Sequence, residues 1–287
     1  MNDALVIDKL CKNYTGFQLQ DVSFSVPEGS IMGFIGENGA GKSTTIKAML
    51  HLIRRDGGQV QMMGLDSIRD ELEIKKQIGV VFDEANFHPT LTPAAIDKIM
   101  GKIFSNWDGA LYAQYLRRFE LPGQKIVKEY SKGMKTKLAI AAALAHHPRL
   151  LILDEATSGL DPVVRDEVLD IFYEFVRDGR NAILMSSHIT TDLDKVADYV
   201  TFIHQGRVVL TEKKERLLSG AGIARCRQEE WSALDRRYVA RYRKEPGGAM
   251  ELLLFDREAF RRQYPQMEVK DANIEEIMLC HIKGETP

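Results

Sequence analysis

The chain is poor in several features that would mark specialised classes. Its three cysteines, Cys11, Cys226 and Cys280, lie far apart and form no C-x-x-C pair. An odd count at that spacing argues against a disulfide framework and suits a reducing compartment. Charge of either sign is not in excess: 39 Lys and Arg against 41 Asp and Glu leave a formal −2. No global basic footprint therefore points to nucleic acid, and none is expected as a partner. No run approaches the ~18 apolar residues of a membrane span. The longest candidate, from Leu138 to Leu153, is broken by His146, His147, Pro148 and Arg149. The opening MNDALVIDKL lacks a basic stretch followed by an apolar one, so no secretory leader is expected. Any membrane work would need a second chain to supply the membrane part. There is no internal repeat and no low-complexity tract.

What is present suits a globular protein. With 287 residues, 44% hydrophobic and 28% charged, the chain can form one large domain, or one domain with an appended piece. Ala4–Ile7, Val22–Val26, Ser30–Ile35, Gln59–Met63 and Ile78–Phe82 read as strands. A helix is predicted from about Lys42 to Leu52. Residues from about Asp83 to Ala145 are richer in helix formers, punctuated by Pro89, Pro93 and Pro122, and read as a mostly helical insertion. Leu150–Leu153 and Asn181–Met185 return to buried-strand character, with a helix over Pro162–Arg177 between them. Strands alternating with helices predict an α/β core with a parallel sheet. The pattern changes near Gly220. Strand-like Glu251–Phe255 and helix-like Ile274–His281 suggest a small accessory α/β segment over 220–287.

The strongest local signal is Gly36-Glu37-Asn38-Gly39-Ala40-Gly41-Lys42-Ser43-Thr44. It satisfies G-x-x-x-x-G-K-[ST] between a predicted strand and a predicted helix, the context a phosphate loop needs. Glycines let backbone N–H groups turn towards phosphates, and the helix N-terminus adds positive partial charge. Lys42 is placed to reach the β- and γ-phosphates of ATP, and Ser43 offers a hydroxyl to Mg²⁺. Further on, Leu150–Leu153 runs into two adjacent acids, Asp154 and Glu155. Asp154 is the candidate magnesium carboxylate, and Glu155 the candidate base for the attacking water. An apolar run ending in acids is weak by itself; its place after a phosphate loop gives it meaning.

The remaining motifs carry a family resemblance. Tyr130-Ser131-Lys132-Gly133-Met134-Lys135 lies about 20 residues before the aspartate strand and resembles the ABC signature, usually Leu-Ser-Gly-Gly-Gln. Ser158-Gly159-Leu160-Asp161 looks like the D-loop. His188, in SSHIT, looks like the switch histidine. Tyr14 stands where ABC proteins place an aromatic that stacks on adenine. In this order, over about Ala4 to Ser219, the set resembles ATPase subunits of ABC transporters. The resemblance implies an ABC ATPase domain over 1–219, with its helical insertion at about 84–145. It also implies a head-to-tail pair, homodimeric or heterodimeric, with two ATP molecules sandwiched between phosphate loop and opposing signature. Ser131 and the backbone at Gly133 would contact the γ-phosphate of ATP held by the other subunit. His188 would sense the γ-phosphate, and Asp161 would cross the dimer seam.

Two positions depart from the family. Lys132 and Met134 replace a glycine and a glutamine of the signature. After Ile78–Phe82, where the family carries a glutamine touching Mg²⁺ and the water, this chain has Asp83-Glu84. Asp83 occupies the matching position and is a candidate catalytic and metal residue. Alternatively Glu84 reaches in, or neither does. These departures and the ending Asn273-Ile274-Glu275-Glu276-Ile277-Met278-Leu279 resemble the ATPases of bacterial ABC-2-type exporters, the peptide and antibiotic-resistance group. That resemblance implies a subunit at the cytoplasmic face of the membrane, bound to a separate permease near Asn86–Leu91, with Phe87 and Leu91 as contacts or as ordinary packing. A different class, a nucleotide-dependent interaction or resistance module without transport, would use the same site. Between 207 and 244 lie eleven Lys/Arg and five Asp/Glu. That run can meet anionic lipid or form a solvated face.

Overall fold

A computed structural model describes residues 2–83, 86–245 and 247–287. Glu84, the alternative to Asp83, lies outside the described residues. The chain runs β1 (Asp3–Tyr14), β2 (Phe17–Pro27), β3 (Ile31–Ile35), α1 (Lys42–Met49), β4 (Gly57–Met62), β5 (Leu65–Asp66), α2 (Glu71–Gln77) and β6 (Ile78–Val81). The insertion follows as α3 (Pro93–Ile103), α4 (Gly109–Arg118) and α5 (Lys132–Leu144). The chain then returns through β7 (Leu150–Asp154), α6 (Pro162–Val176), β8 (Ala182–Ser187), α7 (Thr190–Val196), β9 (Tyr199–His204), β10 (Arg207–Lys213) and α8 (Lys214–Gly220). It closes with β11 (Gly222–Cys226), α9 (Gln228–Ala233), β12 (Val239–Lys244), β13 (Met250–Leu254), α10 (Arg257–Gln263), β14 (Val269–Asp271) and α11 (Ile274–Lys283).

The central sheet has the order β10-β9-β3-β8-β7-β6. Neighbours from β9 to β6 pair in parallel, and only β10 is antiparallel. Its strands read as continuous apolar runs because both faces are covered. The period of two divides them cleanly. Ile31, Ile35, Leu151, Leu153, Ile183 and Met185 enter the core on the side of α5 and α6. Met32, Phe34, Leu150, Ile152, Ala182 and Leu184 enter the core shared with α1 and an antiparallel sheet, β2-β1-β4-β5.

The parallel α/β core expected from the sequence is present, and so is the helical insertion. The first strand is longer than expected, because β1 pairs with β2 on one edge and β4 on the other. The first helix ends earlier, at Met49. The C-terminal region has more sheet than its sequence suggested: a four-stranded antiparallel sheet, β12-β13-β11-β14, with its own core around Trp231, Leu252 and Phe260. It is not detached. Ile274, Ile277 and Cys280 of α11 join the main core. The basic run is neutralised in part: Arg225 and Arg243 pair with the buried Glu251, Arg237 with Asp235, Lys213 with Glu215, and Arg216 with Glu212. All three cysteines are free thiols.

Candidate active site

Parallel strands present their carboxyl ends on one side, which is where ligands bind in open α/β sheets. Here those ends deliver four segments to one cleft of about 550 Å³. The segment after β3 is the glycine loop. Gly41 has φ 115°, and a Cβ there would come within 2.7 Å of Leu19 Cδ2. Glycine is thus required by both conformation and space. Gly36 is constrained by space alone: a Cβ would meet Ile203 O at 2.5 Å. The cleft is lined by Phe17, Glu37, Asn38, Gly39, Gly41, Lys42, Ser43, Thr44, Asp83, Glu155, Ser158 and His188.

Lys42 is only 6% exposed. Its Nζ donates to Gly36 O at 2.7 Å and lies 3.2 Å from Glu155 Oε1. The lysine thus closes the loop on itself and faces the carboxylate ending the neighbouring segment. Ser43 Oγ donates to Asp154 Oδ1 at 3.1 Å, and Ser186 Oγ donates to the same oxygen at 2.7 Å. Glu155 N–H donates to Ser186 Oγ at 3.1 Å. One hydroxyl on β8 therefore orients both acids, because the register sets Asp154 beside Ser186. Glu155 has φ 55°, a left-handed conformation that costs a side-chain-bearing residue energy and persists only where its surroundings enforce it. Its other oxygen, Oε2, lies 2.6 Å from His188 Nδ1. Glu155 is thus held between Lys42 and His188.

Asp83 lines the cleft, but its carboxylate is paired: Oδ1 lies 2.6 Å from Lys132 Nζ. The two departures from the family pattern meet each other in space. The Lys132 stem also lies over Gly159. Ser131, Gly133 and Asp161 do not line this chain's cleft. Ser131 Oγ accepts from Met134 N–H and caps α5, and Asp161 caps α6 through Val164 N–H. Tyr14 lies outside the cleft as well. It is 46% exposed and lines an adjoining hollow with Gly16, Gln18 and Gln205, which shares Phe17 and Gly39 with the phosphate cleft. Sequence reasoning missed Ser186 and Phe17, and it named Ser158 only as part of the D-loop-like run. Ser186 stands in the SSHIT run beside His188, but only the β7–β8 register reveals its partner.

The comparisons decide the family. The sequence pattern of the family described as ABC transporter matches residues 19–158. The bacitracin transport ATP-binding protein BcrA of Bacillus licheniformis is 35% identical over 212 residues, 73% of this chain and 69% of that protein. The chain belongs to the ABC transporter ATP-binding family. Other members are close in sequence too. The lantibiotic transport ATP-binding protein SrtF of Streptococcus pyogenes is 33% identical over 68% of this chain and 84% of its own length. The daunorubicin/doxorubicin resistance ATP-binding protein DrrA of Streptomyces peucetius is 34% identical over 76% and 68%. A solved ATP-binding subunit of an ABC transporter superposes with a TM-score of 0.68 at 28% identity, over 75% of this chain and 91% of that one. The ABC ATPase fold and the resemblance to the peptide and drug-resistance group are thereby established.

The donor set also suits magnesium. Among the described residues no cluster of three or more His, Cys, Asp or Glu stands ready for a metal. Mg²⁺ does not require one, since it takes one or two protein oxygens and fills its octahedron with phosphate and water. Ser43 and Asp154 provide hard oxygens side by side at the phosphate loop.

Proposed function

We propose that this ABC ATPase binds Mg-ATP in the cleft and hydrolyses it to power a membrane exporter. The observation that carries this reading is the contact of Glu155 with Lys42 on one side and His188 on the other, beneath the glycine loop. Backbone N–H groups of residues 36–44 and the start of α1 would cradle the phosphates, with Lys42 on the β- and γ-phosphates. Ser43 and Asp154 would hold Mg²⁺, which offsets phosphate charge when bound. Glu155 would accept the proton of the attacking water, and His188 would hold Glu155 and the γ-phosphate in register. Tyr14, or Phe17 at the boundary of the two hollows, would support adenine.

Ser131, Gly133 and Asp161 stand off this chain's cleft, which supports their use on a second subunit's ATP in a head-to-tail pair. Residues 1–219 would form the ATPase unit and 220–287 the accessory one. The permease would dock in an apolar groove of about 720 Å³ between α2, α3 and α5. Leu72, Phe87 and Ile103 line it, and Phe87 and Leu91 are both partly buried against the main core. No described helix is long and apolar enough to cross a membrane, so attachment to the cytoplasmic face would come through that partner. The names of the relatives, which concern bacitracin transport, lantibiotic transport and daunorubicin/doxorubicin resistance, support export of a peptide or drug.

Glu155→Gln tests the reading. The amide keeps the shape but cannot take the proton, so turnover should fall by about a hundredfold or more while ATP still binds. Trapped ATP should hold two subunits together, seen as a doubled mass by light scattering. A monomer under saturating ATP, with wild-type turnover, would overturn the base assignment and the sandwich together.

A further inference from the structure

Three buried polar atoms gather behind the cleft. Thr157 Oγ1, Arg165 Nε and Asp192 Oδ2 make no hydrogen bond of good geometry among the described residues, although the Thr157 hydroxyl is near enough to Asp192 to act on its carboxylate. They come from different places in the chain: the turn after β7, the start of α6, and α7. Asp192 is only 3% exposed and Thr157 fully buried. Arg165 Nη1 stands 3.9 Å from Asp192 Oδ1, too far for a hydrogen bond. Arg165 Nη2 donates to Leu160 O at 3.1 Å, within the Ser158–Asp161 loop. Asp192 lies four residues after His188.

Such an arrangement is costly. Burial raises the pKa of Asp192, with Thr157, Arg165 and His188 opposing it. A carboxyl raised in the folded state contributes stability below its unfolded pKa and loses it as pH rises. In its ionised form Asp192 therefore does not favour folding, and an apolar or neutral side chain would pack there more cheaply. Its charge calls for a reason other than stability.

We propose that Asp192 and Arg165 are positioning residues that couple the Ser158–Asp161 loop to His188. The coupling runs from Leu160 O to the Arg165 guanidinium, across the gap to Asp192, and through the first turn of α7 to His188. A shift of roughly 1 Å brings the pair into charge-assisted contact. When the loop meets a second subunit, that closure moves α7 and sets His188 against Glu155. The inference rests on the proposed roles of His188 and the loop.

The test is steady-state ATPase kinetics on the full chain for Asp192→Asn, Arg165→Gln and the double variant, with thermal unfolding beside it. Each single variant should lower kcat by about tenfold to a hundredfold, as small misplacements at reacting groups do, with KM for ATP within about twofold. Asp192→Asn should unfold at the wild-type temperature or above. The double variant should be no slower than the slower single one, since both break the same link. Wild-type kcat in Asp192→Asn would overturn the proposal. So would losses that multiply in the double variant, or a loss of kcat that tracks a rise in KM and a drop in melting temperature. Glu155→Gln in the same assay separates the two readings: if its turnover survives, the parent function fails. If it is lost while Asp192→Asn is unaffected, only the coupling fails.

Discussion

The pairing of Asp83 with Lys132 makes a signed prediction for ATP binding without metal. Asp83 lines the phosphate cleft, so it places a negative charge there. Lys132, 2.6 Å away, places a positive one. Together they present almost no net charge. Asp83→Gln leaves Lys132 unopposed, Lys132→Gly leaves Asp83 unopposed, and the double variant is neutral again. Both side chains are about half exposed, at 46% and 51%, so the interaction is screened as in water. A unit charge then acts on a phosphate some 5–6 Å away with about 0.5–1 kcal/mol. That is about a two- to fivefold change in Kd. The assay is fluorescent ATP-analogue titration in EDTA and again in Mg²⁺, on all four proteins. In EDTA the affinity order should be Asp83→Gln, then wild type and the double variant together, then Lys132→Gly. Magnesium should compress the series, because the cation already neutralises part of the phosphate charge. Equal affinities for all four proteins in EDTA would show that neither residue is electrostatically coupled to the phosphates. Additive effects of the same sign would refute the pairing.

Lys42→Ala should weaken ATP binding by about tenfold to a hundredfold, the worth of a charge-assisted contact to phosphate; near-normal affinity by the same titration would contradict its position under the loop. Ser186→Ala leaves Asp154 short of one donor and Glu155 N–H without its acceptor. It should cost about 1–3 kcal/mol in urea unfolding and lower kcat; an unchanged midpoint and turnover would remove its role in orienting the two acids. Burial depresses the pKa of His146 and of His281 below 6.5. The unfolded chain then binds more protons than the native one below that value, so stability is full above it and falls as pH drops towards the folded values. Each histidine contributes a slope of up to about 1.4 kcal/mol per pH unit. Urea midpoints between about pH 7.5 and 5.5 should fall less steeply in His281→Leu than in wild type; parallel slopes would refute the assignment.

Much of this protein was legible from its order of residues. The phosphate loop is contiguous, and its chemistry depends on backbone N–H groups of neighbouring residues, so spacing alone identifies it. The central strands declare themselves because burial on both faces forces unbroken apolar runs such as LLIL and NAILM. The ordered motifs were enough to place the chain in its family. What only the tertiary structure decided is which distant side chains meet. Ser186 orients Asp154 and Glu155 because parallel strands β7 and β8 align in one register, and register leaves no local mark in sequence. The two departures, Asp83 and Lys132, lie 49 positions apart and look unrelated in the chain. They form one ion pair because β6 and the start of α5 converge at the cleft. The C-terminal strands were under-read because antiparallel pairing there is non-local, and its short strands carry weak periodicity. Motifs built from consecutive backbone can be read directly; contacts built from chain crossings depend on the packing of the whole sheet.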